Sequence, residues 1–228
     1  MNLNTPLIEK MSGNPWFRSL PLAERQNLVG SSTQMRLAVG ESLFRRGDPP
    51  AGFFGIVDGR LKASSVRSDG KEGILVILEP GNWFGQMSTI TGWPSAFDVA
   101  AVEAALVLKL SPEAFNAFMQ NAVFARAIAV LLCQHTSLLY QMLEDATLHS
   151  TRTRIARRLM RLARGDATLA AEHRAKIPVS QDTLAMMLGI SRQTLALELK
   201  AMAAQGAVAL RYGHVEIVSM DVLMSFDD

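Results

Sequence analysis

SQDTLAMMLGISRQTLALELKAMAAQ, residues 180–205, is the stretch that decides the fold of the C-terminal part of this chain. It holds two runs of helical periodicity broken at Gly189, with a turn of only three or four residues between them. Ala185 is small enough to let two helices cross closely, and Gly189 permits a left-handed turn. Ile190 and Leu195 can fill the angle between the helices. Together these positions predict a helix-turn-helix; an ordinary αα-hairpin is the alternative.

The second helix of this motif has side chains of the types that suit contacts with base edges in a major groove. Arg192 suits guanine O6 and N7, Gln193 suits adenine N6 and N7, and Leu197 can contact a thymine methyl group. Lys200 and the Ser180 hydroxyl are expected to contact phosphate, which positions the protein without specifying sequence. The full predicted DNA-contacting set is Ser180, Gln181, Ser191, Arg192, Gln193, Thr194, Leu197, Lys200 and Arg211.

The residues around this face predict how it is supported. Leu195, Leu199 and Met202 recur at helical spacing and are expected to be buried. After the helices, residues 207–210 and 215–218 read as two short strands joined by a turn, a β-hairpin that would form a wing beside the motif.

Residues 40–110 have the pattern of an all-β section. Short apolar alternations are separated by glycine turns, and Asp-Gly in particular favours the positive-φ geometry of tight hairpins. The expected strands are residues 53–57, 61–65, 73–78, 99–102 and 106–110, with breaks at Gly47-Asp48, Asp58-Gly59, Asp69-Gly70 and Pro80-Gly81. Strands every ten residues or so suggest a sandwich or roll.

After Ser111-Pro112-Glu113 the periodicity changes from two to about 3.6, so helices follow. One stripe of a long helix resembles a coiled-coil seam and predicts dimerisation, although packing on its own domain is an alternative. The stripe consists of Phe124, Ile128, Leu131, His135, Leu138 and Met142. His135 could ligate a metal or haem, but a lone histidine on an apolar stripe more often hydrogen-bonds a neighbour across the interface.

A second amphipathic helix is expected over residues 151–164. Ile155, Leu159 and Leu162 would face inward. The arginines would surround them and could serve phosphate or merely solvent; they are Arg154, Arg157, Arg158, Arg161 and Arg164. The helix lacks the bulky aromatic face with which basic helices bind membranes.

Composition excludes several classes of protein. The net charge is only +2, but residues 151–228 carry 11 of the 23 basic and 8 of the 21 acidic side chains, so polyanion binding is expected there. Cys133 is the one cysteine, expected to be small and buried; it cannot form an internal disulfide, an iron–sulfur site or a metal site alone. The four histidines are scattered, which argues against an enzyme.

The N-terminal segment lacks a basic start followed by an apolar run. We expect no stretch to approach the roughly 18 apolar residues of a spanning helix. The chain is therefore interpreted as a cytoplasmic protein without a membrane partner.

Both halves, in this order, resemble the Crp/Fnr regulators over roughly residues 14–218. The stretches that carry the likeness are GESLFRRGDPPAGFFGIVDGRLKASSVRSDGKEGILVILEPGNWFGQMS, PSAFDVAAVEAALVLKL and ISRQTLALELKAM. The resemblance implies an α+β fold with an N-terminal cyclic-nucleotide-binding-type β-roll, jelly-roll-like, over residues 1–118. A dimerisation helix would cover residues 119–150 and a winged helix-turn-helix residues 151–228.

The same resemblance implies an effector pocket in each β-roll, formed here by Gly85, Gln86, Met87, Ser88, Ser95, Ala96, Leu139 and Tyr140. Cyclic-AMP binders of the family have glutamate and arginine at the places of Gln86 and Ser95. Ser95 cannot replace a bidentate guanidinium, so an effector other than cyclic AMP is expected. An iron–sulfur cluster is excluded by the single cysteine, haem has weak support, and the effector's identity stays open.

The implied partners are double-stranded DNA, a second copy of the chain and, as a further candidate, RNA polymerase. A homodimer should prefer a pseudo-palindromic operator with half-sites about 34–36 Å apart, and the effector would act allosterically. The alternative is a cyclic-nucleotide-binding regulatory subunit that acts on a protein partner, since the same β-roll occurs in kinase regulatory subunits and channels.

Overall fold

The computed structural model of the chain describes residues 5–168 and 173–227. They divide into two compact units. The first comprises the described residues up to Ser65 together with Leu75–His135, and the second comprises Val66–Ile74 and the described residues from Thr136 onward.

Helices and strands follow one another in an order that separates a β-rich half from a helical half. From the N-terminus they are α1 (Thr5–Met11), α2 (Pro15–Ser19), α3 (Leu22–Gly30), β1 (Thr33–Leu37), β2 (Ser42–Phe44), β3 (Phe53–Asp58), β4 (Leu61–Val66), β5 (Glu72–Leu78), β6 (Trp83–Phe84), α4 (Gln86–Thr91), β7 (Asp98–Ala101), β8 (Ala105–Leu110) and α5 (Pro112–Phe118). Then come α6 (Ala122–Leu148), α7 (Thr151–Ala163), β9 (Lys176–Ile177), α8 (Gln181–Leu188), α9 (Arg192–Ala204), β10 (Val208–Arg211), β11 (His214–Ile217) and α10 (Met220–Met224).

The strands of the β-rich half form two four-stranded sheets, in the orders β1-β8-β3-β6 and β2-β7-β4-β5. The first sheet is antiparallel, with Ile56 of β3 opposite Val107 of β8. The strands predicted at residues 53–57, 61–65, 73–78, 99–102 and 106–110 are confirmed to within a residue as β3, β4, β5, β7 and β8. The short strands β1, β2 and β6 were not predicted.

An aromatic cluster forms the core of the first unit. The Phe53 ring lies 5.0 Å from that of Trp83 and 5.2 Å from that of Phe115, and all three are buried. Helix α2 adds two more rings to this cluster because Asn14 caps it, accepting hydrogen bonds from the backbone N–H groups of Trp16 and Phe17. The β-rich half therefore packs its N-terminal helices against the sheet through aromatic contacts.

Helix α6 is 27 residues long. Among the described residues it alone is long and apolar enough, by length and composition, to cross a membrane. The expectation that no stretch would meet that criterion is therefore wrong. Cys133 lies on this helix and is exposed rather than buried, which corrects a second expectation.

The second unit has its own apolar core. Ile155, Leu159 and Leu162 of α7 are buried, as predicted. The predicted wing is confirmed as β10 and β11, an antiparallel hairpin closed by Tyr212 and Gly213. Strand β9 extends it on the β11 side, an addition that residues 176–177 were too short to signal.

Candidate functional site

Helices α8 and α9 form a helix-turn-helix whose turn consists of residues 189–191. Gly189 ends α8 in the left-handed conformation, with φ 66°, so a glycine is favoured there. Ser180 caps α8 by accepting from Thr183 N–H at 3.0 Å, and Ser191 caps α9 by accepting from Thr194 N–H at 3.0 Å. Each cap satisfies amide groups that would otherwise lack a partner and fixes where the helix begins.

Helix α9 turns one face inward and the other to solvent. Leu195, Leu199 and Met202 are fully buried, as the spacing predicts. The predicted DNA-contacting residues of α9, Arg192, Gln193, Thr194, Leu197 and Lys200, are all exposed. Leu197 is 70% exposed, so its side chain is accessible to a ligand.

The arginines of this surface have acidic neighbours. Arg192 Nε lies 3.2 Å from Asp182 Oδ1 of α8, and both side chains are largely exposed. On the wing, Arg211 Nε lies 3.5 Å from Glu216 Oε2, also in an exposed pair. Exposed ion pairs are weak, so neither pair prevents its arginine from also contacting DNA. Tyr212, at the wing tip, is fully exposed.

The arginines of α7 occupy a different environment from the predicted one. Arg158 is 1% exposed and pairs with Asp166 at 2.8 Å, so its assignment to the outer face is wrong. Arg157 and Arg161 both bind the buried carboxylate of Asp145, at 3.0 and 2.6 Å. The apolar periodicity of α7 could not show this because the partner carboxylates lie elsewhere in the chain.

Two further arginines of α7 are also engaged within the second unit. Arg154 donates to the carbonyl of Leu188 at the end of α8. Arg152, which the sequence did not single out, pairs with Glu198 of α9 at 2.7 Å. These contacts hold the helix-turn-helix against α7, so the basic side chains of α7 support the motif rather than simply facing solvent.

The predicted effector residues of the β-rich half centre on the start of α4. Gly85 has φ 96°, and a Cβ there would lie 2.3 Å from the carbonyl oxygen of Gly52, so the turn requires glycine. Gln86 is buried, and its Nε2 donates to Nδ1 of His135 over 3.1 Å. That bond requires a neutral ring protonated on Nε2, and burial also lowers the pKa of His135.

One polar atom of this pair is left without a protein partner. Gln86 Oε1 is buried and accepts no hydrogen bond within the described residues. An unsatisfied buried acceptor costs about 1–3 kcal/mol, so a ligand that donates to it would stabilise the fold. The sequence predicts a hydrogen bond from His135 across an interface, but in the structure His135 pairs with Gln86 of its own chain.

The remaining effector residues are divided between the two units. Ser95 is buried and exchanges backbone hydrogen bonds with Gly47 and Asp48, which places the segment after Pro94 beside the β2–β3 loop. Met87 and Ala96 are exposed, and Ser88 is half-buried. Leu139 and Tyr140 belong to the second unit, and both are exposed, at 65% and 69%.

The predicted dimer stripe is largely covered by its own chain. Phe124, Ile128 and Leu131 belong to the aromatic core of the first unit, and Leu138 is also buried. These residues cannot face a partner, so their assignment to the dimer interface is wrong; His135 and Met142 are only partly buried. A neighbouring, largely apolar stripe of α6 is exposed except at Leu132, which packs partly on the core of the first unit. It consists of Ala129, Leu132, Thr136, Leu139, Leu143 and Ala146, and is here called the α6 seam.

The sequence could have signalled this seam. Its residues also alternate at spacings of three and four, one position along from the predicted stripe. Phenylalanine and isoleucine made the first stripe more hydrophobic, and the most hydrophobic stripe of a helix is the one its own domain covers. Asp182 and Tyr212, at the exposed surface of the second unit, were also missed because neither belongs to a periodic pattern.

Comparisons with known proteins agree with this arrangement. Residues 34–122 match the cyclic nucleotide-binding domain, and residues 153–226 match the Crp-like helix-turn-helix domain. The chain is 29% identical over 210 residues to the cyclic AMP receptor protein of Thermus thermophilus, covering 91% of this chain and 94% of that protein. It is 22% identical over 173 residues to a CRP-like cAMP-activated global transcriptional regulator of Mycobacterium tuberculosis, covering 75% and 77%.

Among solved structures, FixK2 from Bradyrhizobium japonicum superposes with a TM-score of 0.75 at 17% identity, over 86% of this chain and 98% of that one. The predicted α+β class, with a β-roll, a long helix and a C-terminal helix-turn-helix, is thereby confirmed. With both domains in the family's order and α9 presenting the features of a recognition helix, the chain belongs to the Crp/Fnr family of DNA-binding transcription regulators.

Proposed function

We propose that this chain is a cytoplasmic, homodimeric regulator that binds specific DNA sites and responds to a small-molecule effector other than cyclic AMP. The observation that carries the proposal is the exposed face of α9. Arg192, Gln193, Leu197 and Lys200 lie on this face, and the opposite face of the helix is buried. These side chain types contact guanine, adenine, thymine methyl and phosphate groups.

Dimerisation through the α6 seam accounts for the apolar character of that helix. The seam repeats at positions a and d of a heptad, while Gln134 and Gln141 take the outermost f positions. A helix that packs on its own domain on one side and on a second copy on another needs apolar residues on two faces. The length and composition of α6 are therefore explained without a membrane.

The effector proposal rests on the neutral groups at the pocket. Gln86 and Ser95 are buried and uncharged, and the family resemblance implies that they replace a carboxylate and a guanidinium of cyclic-AMP binders. A cyclic phosphate buried beside a neutral hydroxyl lacks the charged partner that offsets its desolvation. We expect a ligand that donates a hydrogen bond to Gln86 Oε1.

A mobility-shift experiment tests the DNA-binding part. The purified chain is titrated against the region upstream of its own gene and against a scrambled duplex, at several salt concentrations. Specific binding should exceed non-specific binding by about 10³-fold or more, and both should weaken steeply with salt. If no salt-dependent binding to any duplex occurs, the regulatory-subunit alternative replaces the proposal.

A thermal-shift screen tests the effector part. Nucleotides, haem and metabolites are added separately, because a ligand at 100 times its dissociation constant adds about 2.7 kcal/mol to the free energy of unfolding. Cyclic AMP should give no such shift. If it stabilises the chain more than the other compounds do, the neutral-pocket proposal is wrong.

A further inference from the structure

Asp182 places a carboxylate on the surface that the proposed function assigns to DNA. It lies in the first turn of α8, and its Oδ1 is 3.2 Å from Nε of Arg192, the first residue of α9. The side chains are 59% and 71% exposed, so neither is held there by burial. The pair joins the two helices of the motif across its turn.

A carboxylate here is unfavourable for binding DNA as such. Every negative side chain that faces a duplex adds repulsion from the phosphates and lowers affinity for all sequences. Asp182 also stabilises the N-terminus of α8 through the helix dipole, which is a purely structural reason for its presence. A role in base recognition must therefore give an effect that helix stabilisation does not.

The geometry of the pair supplies such an effect. Asp182 contacts Nε, so the terminal nitrogens Nη1 and Nη2 of Arg192 stay available. Two parallel N–H groups of a guanidinium match O6 and N7 of guanine, and this match depends on the orientation of the plane. An exposed arginine without a partner samples many rotamers, whereas an acidic neighbour at Nε favours the rotamers that keep the two charges close.

We propose that Asp182 is a positioning residue for base recognition, which orients the Arg192 guanidinium toward a guanine edge and thereby raises sequence discrimination while lowering affinity for DNA in general. This inference rests on the proposed role of Arg192 as a base-contacting residue. It predicts that removal of the charge at position 182 changes discrimination and general affinity in opposite directions.

The test uses the full-length chain and operators selected from a random duplex pool. Affinities of the wild type, Asp182→Asn and Arg192→Ala are measured for the selected operator, for operators changed at each single base pair, and for a scrambled duplex. Arg192→Ala should reduce discrimination at one base pair about five- to 150-fold. Asp182→Asn should reduce it at the same base pair about three- to tenfold and raise affinity for the scrambled duplex about two- to fivefold.

Glu216→Gln is the matched control, because it removes an exposed carboxylate that pairs with Arg211 on the wing. It should change affinity for all duplexes alike and leave discrimination unchanged, and thermal melts should show that all variants are folded. If Arg192→Ala keeps full discrimination, the proposed role of α9 fails. If Arg192→Ala loses it but Asp182→Asn keeps it, or lowers affinity for every duplex equally, Asp182 has only a structural role and the inference is overturned.

Discussion

Single side chains decide which duplex the protein binds and how strongly. Arg192 and Lys200 are both basic and exposed on α9, yet they lie two helical turns apart and should act differently. We expect Arg192, beside the turn, to contact a base edge and Lys200 to contact the phosphate backbone. General affinity and sequence preference should therefore be separable by substitution.

Arg192→Ala should cost about 1–3 kcal/mol of binding free energy on the selected operator and relax the preference at one base pair. Lys200→Ala should weaken binding to every sequence alike and reduce the salt slope by about one, because one phosphate contact is lost. Fluorescence anisotropy at four salt concentrations measures both quantities. Equal losses on all duplexes for both variants would mean that Arg192 contacts only phosphate.

His135 should make stability depend on pH. Burial lowers its pKa in the folded chain below the ordinary value of 6.5, so the unfolded chain takes up a proton that the folded chain resists. The free energy of unfolding is then fully retained above pH about 6.5 and falls as the pH drops below it. His135→Gln, which keeps an acceptor for Gln86, should flatten urea-derived stability between pH 7 and 5. An unchanged slope would contradict the assignment.

At the scale of secondary structure, the stability of α7 depends on ion pairs between side chains inside the second unit. Arg158 and Asp166 are each about 1% exposed at their side chains, so removal of one partner leaves a buried charge uncompensated. Arg158→Ala should lower the free energy of unfolding by about 3–5 kcal/mol in urea denaturation. Arg152→Ala, which breaks a more exposed pair of the same helix, should cost at most about 1 kcal/mol. Similar values for the two variants would contradict this account of α7.

The second prediction at this scale concerns the role of helix α6 in dimerisation. Leu143→Glu places a charge in the α6 seam and should convert the dimer to a folded monomer, as measured by sedimentation. Gln141→Glu adds the same charge at an outermost position and should leave the dimer intact. The assignment of the α6 seam as the dimer interface is wrong if the Leu143→Glu variant stays dimeric or if the Gln141→Glu variant also dissociates.

Elements that depend on local chemistry were predictable from the sequence. Glycine turns marked the ends of β3, β4 and β5, and serine caps with Gly189 marked α8 and α9. Strands of two or three residues, such as β2 and β6, are too short to show an alternation. Packing between residues distant in the sequence was not predictable. The periodicity identified an apolar stripe on α6, but it did not show whether the chain's own core or a second copy covers that stripe.

The same distinction explains the sites. The exposed face of α9 follows from its own spacing, because the buried stripe defines the opposite face. The environment of Arg158 depends on Asp166, eight residues away in a loop, and the bond between Gln86 and His135 joins residues far apart in sequence. Neither contact leaves a periodic trace in the chain.

At the scale of the whole molecule, two-fold symmetry should appear in the DNA. If two chains join through the α6 seam, each contributes one α9, and the two helices should enter successive major grooves on one side of the duplex. An insertion of five base pairs between the half-sites turns one of them to the opposite side and should abolish binding by the dimer. Retained affinity would mean that each chain binds on its own.

Methylation protection of guanine N7 on a selected operator tests the central claim most directly, because N7 lies in the major groove, where we propose that Arg192 binds. We predict two protected guanines, related by symmetry and about 10 base pairs apart, that become reactive again with Arg192→Ala. A tight complex in which every guanine N7 stays as reactive as in free DNA would contradict the account.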